Sequence, residues 1–331
     1  MKFFSASLAV LALASSTAAH HMITNILING EEMPLGKCMR IPPTTSPVTD
    51  IYSDAMACNV GGNNGVQRVC EANAGDSISF MWRTWPDASQ PGSLDSSHQG
   101  PCAVYLKKAP DGQSVTSLAA SGGGWFKIFD DGYRDGSFCS QKIADNGGRM
   151  TVRLPTDLAA GEYLIRGEQI ALHDAARVGG AQYYIGCAQI AISSAGQKTV
   201  PSTVAIPGHI DQNGPGVVFD YWNNKNPANY KTPGPAVFSP PANPGRINQR
   251  LSIQSSNCIA ENANWCGKAL PSFEGEKSCY TAAAYCWNQV NECFSSAPAT
   301  GDKGCKAFEK VCEKATAHCR SCGSSCSGRF P

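Results

Sequence analysis

From His20 to about residue 240, short runs of alternating apolar and polar side chains are separated by Gly, Pro, Asn and Asp. Ser77-Ile78-Ser79-Phe80-Met81-Trp82 and Arg149-Met150-Thr151-Val152-Arg153-Leu154 place apolar side chains two apart, the period of a half-buried strand. Cys102 to Leu106, Tyr163 to Ile165, Gln189 to Ile192 and Val217 to Tyr221 have the same texture. Helical periodicity is nearly absent here, so the pattern predicts an all-β fold, an antiparallel β-sandwich whose loops carry any chemistry.

Between roughly 223 and 250 the composition shifts to Asn, Pro, Lys and Gly, as in Ser239-Pro240-Pro241-Ala242-Asn243-Pro244-Gly245. Such a segment favours extended backbone and spaces two folded parts. The expected organisation is therefore a sandwich over 20–240, a linker over 241–256 and a second module over 257–331. That module holds ten of the sixteen cysteines. Cys279, Cys286 and Cys293 are seven apart, as are Cys305, Cys312 and Cys319, so each triplet lies along one helix face. Ala282-Ala283-Ala284 and Lys306-Ala307-Phe308-Glu309-Lys310 are good helix formers, while Pro298, Gly301 and Gly304 supply a turn. A disulfide-rich helical hairpin follows, pairing Cys293 with Cys305, Cys286 with Cys312 and Cys279 with Cys319. Trp265, Tyr280, Tyr285 and Trp287 either form a binding strip on this module or serve its structure.

Residues 1–19 have the layout of a secretory leader: Lys2, an apolar run from Leu8 to Ala14, then Thr17 and Ala19 at the positions a signal peptidase reads. No other run approaches the roughly 18 apolar residues of a membrane helix. An even, abundant set of cysteines behind such a leader reads as disulfides, which predicts an extracellular, soluble, monomeric protein with no membrane partner. A net charge of +1 gives no electrostatic footprint for nucleic acid and fits a neutral partner such as an uncharged polysaccharide. Cleavage after Ala19 exposes His20, whose α-amino group and imidazole can grip one metal ion together.

Hydrolytic signatures are missing: there is no His-Glu-x-x-His motif, no Gly-x-Ser-x-Gly elbow and no phosphate-binding glycine loop. What the chain offers instead is an ordered set of fragments. Asn29-Gly30 follows His20 at fixed spacing. Then come Pro47-Val48-Thr49-Asp50, Ser97-His98-Gln99-Gly100-Pro101, Gly124-Trp125-Phe126-Lys127-Ile128-Phe129, Ala171-Leu172-His173, Gly180-Ala181-Gln182-Tyr183-Tyr184 and Tyr230-Lys231-Thr232-Pro233-Gly234-Pro235. Over residues 20 to about 240 this chain resembles the fungal lytic polysaccharide monooxygenases of auxiliary activity family nine, once classed as glycoside hydrolase family 61.

The resemblance implies an immunoglobulin-like sandwich with a flat face presenting one copper ion. It assigns His20, through amine and imidazole, and His98 as the nitrogen ligands, and Tyr184 as the axial residue beside them. His173 and Gln182 match the pair that hydrogen-bonds the oxygen co-substrate, and Cys58 and Cys187 match a cysteine pair common in the family. The pairing of Cys38, Cys70, Cys102 and Cys139 stays open. Tyr230 matches a surface tyrosine that stacks on a sugar ring, or else it packs the linker onto the sandwich. One departure is Arg166-Gly167-Glu168, where many members have Arg-His-Glu. The implied function is oxidative cleavage of β-1,4-glucan (cellulose) at C1 or C4, using O2 or H2O2 and a small-molecule or protein electron donor. Two other functions would use the same residues differently: a secreted copper- or glycan-binding protein without turnover, and a hydrolytic endoglucanase.

Overall fold

Two facing sheets form the larger part of the protein, whose structure is a computed structural model describing residues 20–194, 202–224, 226–238 and 257–330. The leader expected at 1–19 and the linker expected at 241–256 lie outside the described residues. One sheet has the strand order Arg149–Arg153, Ser77–Arg83, Met22–Ile28, Glu31–Glu32. The other runs Val204–Ile206, Gly122–Asp131, Cys102–Lys108, Gly161–Ala171, Gln182–Ser193, Met39–Arg40, with Cys70–Asn73 added in parallel to Gln182–Ser193. All its other pairings are antiparallel, as alternation predicts.

The core between the sheets contains Ile26, Ile78, Phe80, Trp82, Val104, Leu106, Met150, Val152, Ile165 and Ile190. Each large apolar side chain removed from water contributes about 1.5–3 kcal/mol. Gly167 pairs with Gly186 across the Gly161–Ala171 and Gln182–Ser193 strands, and both lie beneath Ile23. A Cβ at Gly167 would come 2.9 Å from Ile23 Cδ1, so this backbone lets the opposing sheet approach closely.

The seven-stranded sheet is covered on its outer face as well, where Tyr105, Trp125, Leu164, Ile170, Tyr183 and Ile185 pack beneath loops carrying Val48, Ile51, Phe219 and Tyr230. Burial on both faces hides alternation, which is why the Tyr163 to Ile165 and Gln189 to Ile192 runs extend to eleven and twelve residues. Two strands carry no clear alternation in the sequence, Met22–Ile28 and Gly122–Asp131. The expected strand at Val217 to Tyr221 is a correction: Val217 and Val218 both donate to the Gly214 carbonyl and Phe219 donates to Ala175. Gly214, Pro215 and Gly216 turn the chain there before it can pair. Arg40 fastens loops to the sheet, bonding Gln189 and the carbonyls of Gly62, Asn63, Val115 and Leu118.

Toward the C-terminus, Glu276–Ser295 and Lys303–Cys322 form the helical hairpin. Cys279–Cys319, Cys286–Cys312 and Cys293–Cys305 cross-link it as the seven-residue spacing predicts, and all six side chains are fully buried. Cys258–Cys266 and Cys322–Cys326 close two shorter loops, and the sandwich pairs Cys38 with Cys70 and Cys102 with Cys139. The module rests against the sandwich. Asn264 accepts the Cys38 N–H at 3.0 Å and donates to the carbonyls of Gly36 and Met39, while Glu261 bridges Lys37 and Arg68 at 2.9 Å each. The four aromatic residues of this module divide. Trp265 is buried and Trp287 donates to Thr316, whereas Tyr280 and Tyr285 are exposed.

Candidate metal centre

Strand register gathers the predicted site residues at one end of the sandwich. His20 precedes Met22–Ile28, and His98 precedes Cys102–Lys108, which runs antiparallel to Gly161–Ala171. His173 follows the end of Gly161–Ala171, where Ala171 pairs with Gln182, the first residue of the next strand. Sequence positions 20, 98, 173, 182 and 184 thus reach one edge because antiparallel strands bring starts and ends together.

His98 is buried, with Nδ1 3.1 Å from Ser97 Oγ and Nε2 lacking any partner. With Nδ1–H donating to Ser97, Nε2 keeps a lone pair directed into the site. Burial, reinforced by the neighbouring His173, lowers its pKa to about 4, so the ring is neutral at pH 7. A buried, unbonded, neutral imidazole nitrogen is costly unless something completes it, and a metal ion does so.

Ring spacings identify the partner. A first-row metal bonded at about 2.0 Å to one nitrogen on each of two opposed imidazoles sets their centres roughly 6 Å apart. His20 and His98 stand 6.4 Å apart and perpendicular, and His20 is exposed. His98 and His173 are only 4.5 Å apart. His21 is fully buried, stacked 3.9 Å from Tyr184, and donates Nε2–H to Gln169 Oε1 at 3.2 Å. The donor set of His20 and His98 therefore fits a metal, while His21 is occupied as packing.

Tyr184 lies beneath these rings, 6.3 Å from His20 and 5.5 Å from His98, and is 1% exposed. Burial pushes its phenol well above the ordinary tyrosine range, and the hydroxyl donates to Gln182 Oε1 at 3.0 Å. Tyr184 thus stays protonated and holds Gln182. His173 has a buried, unpartnered Nδ1, while its Nε2 lies 3.5 Å from Asp174 Oδ2. Cys58 and Cys187 form a disulfide that ties the short Ala55–Cys58 helix to the outer sheet face.

Tyr230 is a correction to the stacking expectation. It is buried, its hydroxyl donates to the Gly216 carbonyl at 2.6 Å, and Phe138 and Phe219 pack edge-on against it. Its ring is packed within its own loop layer rather than presented for stacking, and the expected linker lies outside the described residues. Two participants escaped sequence reasoning. Gln169 donates to the His98 carbonyl and accepts from His21; its signal was an amide on a strand face otherwise lined by Ile165, Gly167 and Ala171. Trp222 is 64% exposed and donates its indole N–H to the His173 carbonyl at 2.8 Å. A cleft of about 410 Å³ lined by Gln99, Gln141, Tyr221 and Trp222 opens beside it. Trp222 sits in an irregular segment, where no periodicity marks a functional side chain.

These features coincide with one family. Residues 20–230 match the model for Auxiliary Activity family 9, formerly GH61. AA9 family lytic polysaccharide monooxygenase H of Botryotinia fuckeliana is 37% identical over 345 residues, spanning 97% of this chain and 76% of that protein. AA9 family lytic polysaccharide monooxygenase C of Aspergillus tamarii is 33% identical, spanning 94% and 88%. Among solved structures, CvAA9A superposes with a TM-score of 0.61 at 29% identity, covering 66% of this chain and 98% of that one. A cellulose-active polysaccharide monooxygenase from M. thermophila gives 0.54 at 30% identity, covering 66% and 99%. The chain belongs to auxiliary activity family 9, the copper-dependent lytic polysaccharide monooxygenases.

Proposed function

We propose that this protein is secreted, loses residues 1–19, and oxidatively cleaves β-1,4-glucan chains of cellulose at C1 or C4 with O2 or H2O2 and an external electron donor. The observation that carries this reading is the buried, unpartnered Nε2 of His98, 6.4 Å in ring centres from the exposed His20. His20 would contribute its freed α-amine and ring, and His98 its Nε2; amine and imidazole nitrogens suit copper. A terminal amine has an ordinary pKa of about 7.7–8.0, so it sheds its proton for a metal without an extreme shift. Copper held there supplies the one-electron chemistry that activates O2 or H2O2.

The rest belongs to the chain's own side chains. Tyr184, protonated and buried beside His20 and His98, would close that flank of the metal site and holds Gln182 in place. Gln182 and His173 would supply polar groups that orient the oxygen co-substrate, and His173 Nδ1 makes no competing hydrogen bond among the described residues. Trp222, anchored through its N–H, presents an exposed ring on which a sugar ring can stack, and the cellulose-active M. thermophila structure supports this substrate class. Incubation of the mature, copper-loaded protein with cellulose and ascorbate, followed by mass spectrometry, tests the proposal. Oxidised oligosaccharides formed only with reductant are expected; native reducing-end products alone would overturn it.

A further inference from the structure

The outer face of the seven-stranded sheet holds a second concentration of polar groups that the copper site does not use. Arg166 and Glu168 alternate outward on the Gly161–Ala171 strand, with Tyr105 beside Arg166 on Cys102–Lys108 and Lys127 beside Tyr105 on Gly122–Asp131. Tyr183 joins them from Gln182–Ser193, and the covering segment contributes His209 and Tyr230. Arg166, fully buried, gives Nε and Nη2 to the carbonyls of Met56 and Ala57 and to Glu168. Lys127 is bonded to Asp130 and the Pro233 carbonyl. The Tyr105 ring lies between the two cations, Arg166 Cζ at 5.1 Å and Lys127 Nζ at 5.8 Å, with the His209 ring edge-on at 5.6 Å. Gly234, at φ +93°, passes so close that a Cβ there would lie 2.6 Å from Tyr105 Oη.

Among the described residues, five buried atoms in this cluster have no partner: Arg166 Nη1, Tyr105 Oη, Tyr183 Oη, and both ring nitrogens of His209. Protein interiors do not tolerate that many orphaned groups together, because the summed desolvation cost would rival the net stability of a domain. Donors and acceptors are both present, so an ion of either sign would satisfy only part of the set. Water satisfies all of it, at about three hydrogen bonds per buried molecule.

We infer that these atoms line a buried, hydrated chamber that binds at least two ordered waters beneath residues 205–224 and 226–234, and that His209 is its acid-sensitive latch. The same segment carries Trp222, which is itself bonded to the His173 carbonyl. Burial, then the nearby Arg166, lowers the His209 pKa to about 4, against the partial opposition of Glu168. Burial draws Glu168 toward its neutral form, but the adjacent Arg166, which is hydrogen-bonded to it, and Lys127 outweigh burial and hold its pKa below the ordinary value. Tyr105, Tyr183 and Tyr230 are pushed upward by burial and remain neutral. A proton on His209 would add a third buried cation beside Arg166 and Lys127.

The sign follows from linkage. A histidine whose folded pKa lies below its unfolded value of about 6.5 contributes fully above that pH, and the contribution is lost as pH falls toward about 4. A high-resolution crystal structure of the whole protein at neutral pH tests the chamber. Waters within about 2.6–3.2 Å of Tyr105 Oη, Tyr183 Oη and His209 are expected; direct bonds among these side chains with no water would overturn it. Unfolding titrations at pH 7 and pH 4 test the latch. The unfolding constant of the native protein should rise on the order of 100-fold more than that of His209→Asn, and equal pH dependence in the two proteins would refute it.

Discussion

The sandwich and the helical module are stabilised by different means. The sandwich buries two apolar layers, one between its sheets and one under its loops, and can therefore leave polar atoms such as His98 Nε2 unpartnered at its edge. The module, 74 described residues from 257 to 330, has a single small core threaded by cysteines. Where area is plentiful, a fold can carry an exposed metal site; where it is scarce, covalent links replace it. The contrast also extends to how the module is carried, since Asn264 bonds it to the Gly36–Met39 turn and Glu261 pairs with Lys37 and Arg68.

The largest expected effect comes from opening the ladder at its middle rung. Cys286→Ser with Cys312→Ser should destabilise the module by about 2–4 kcal/mol, enough to unfold it near physiological temperature. Copper affinity of the sandwich should be unchanged. Calorimetry showing a separate, lowered transition would support this division, and a simultaneous loss of copper binding would contradict it. Next in size is Asn264→Ala, which removes three hydrogen bonds to buried backbone groups and should cost about 1–3 kcal/mol of docking. Hydrogen exchange should rise at residues 36–39 while the helices stay protected; unchanged exchange there would show that the clamp is dispensable. The smallest effect is expected from Trp222→Ala, a several-fold weakening of cellulose binding with copper affinity intact, read from pull-down isotherms beside metal titration. Binding equal to that of the unaltered protein would remove Trp222 from the platform.

The two regions also differ in how openly the sequence displays them. The ladder was legible because seven residues make two helical turns, so cysteine spacing alone fixes a face and an order of rungs. Ser77–Arg83 and Arg149–Arg153 were legible through alternation. Met22–Ile28 was hidden by burial on nearly every residue, and Val217 to Tyr221 misled because Gly214 and Gly216 let an alternating run close into turns. His20, His98, His173, Gln182 and Tyr184 were assigned through the resemblance of their ordered motifs to a known family, and that order follows the strand ends that carry them. Trp222, Gln169 and Asn264 act through long-range hydrogen bonds, and no local pattern encodes those. Tyr230 shows the converse: its position in a motif was clear, but its burial depended on Phe138 and Phe219 packing around it.

The central claim is that His20 binds copper as a free N-terminus together with His98. Isothermal titration with copper, comparing protein beginning at His20 with protein retaining one extra residue ahead of it, tests this most directly. The account predicts that the extra residue weakens binding by at least about a hundredfold, because the amine becomes an amide without a usable lone pair. Equal affinity in the two proteins would contradict it.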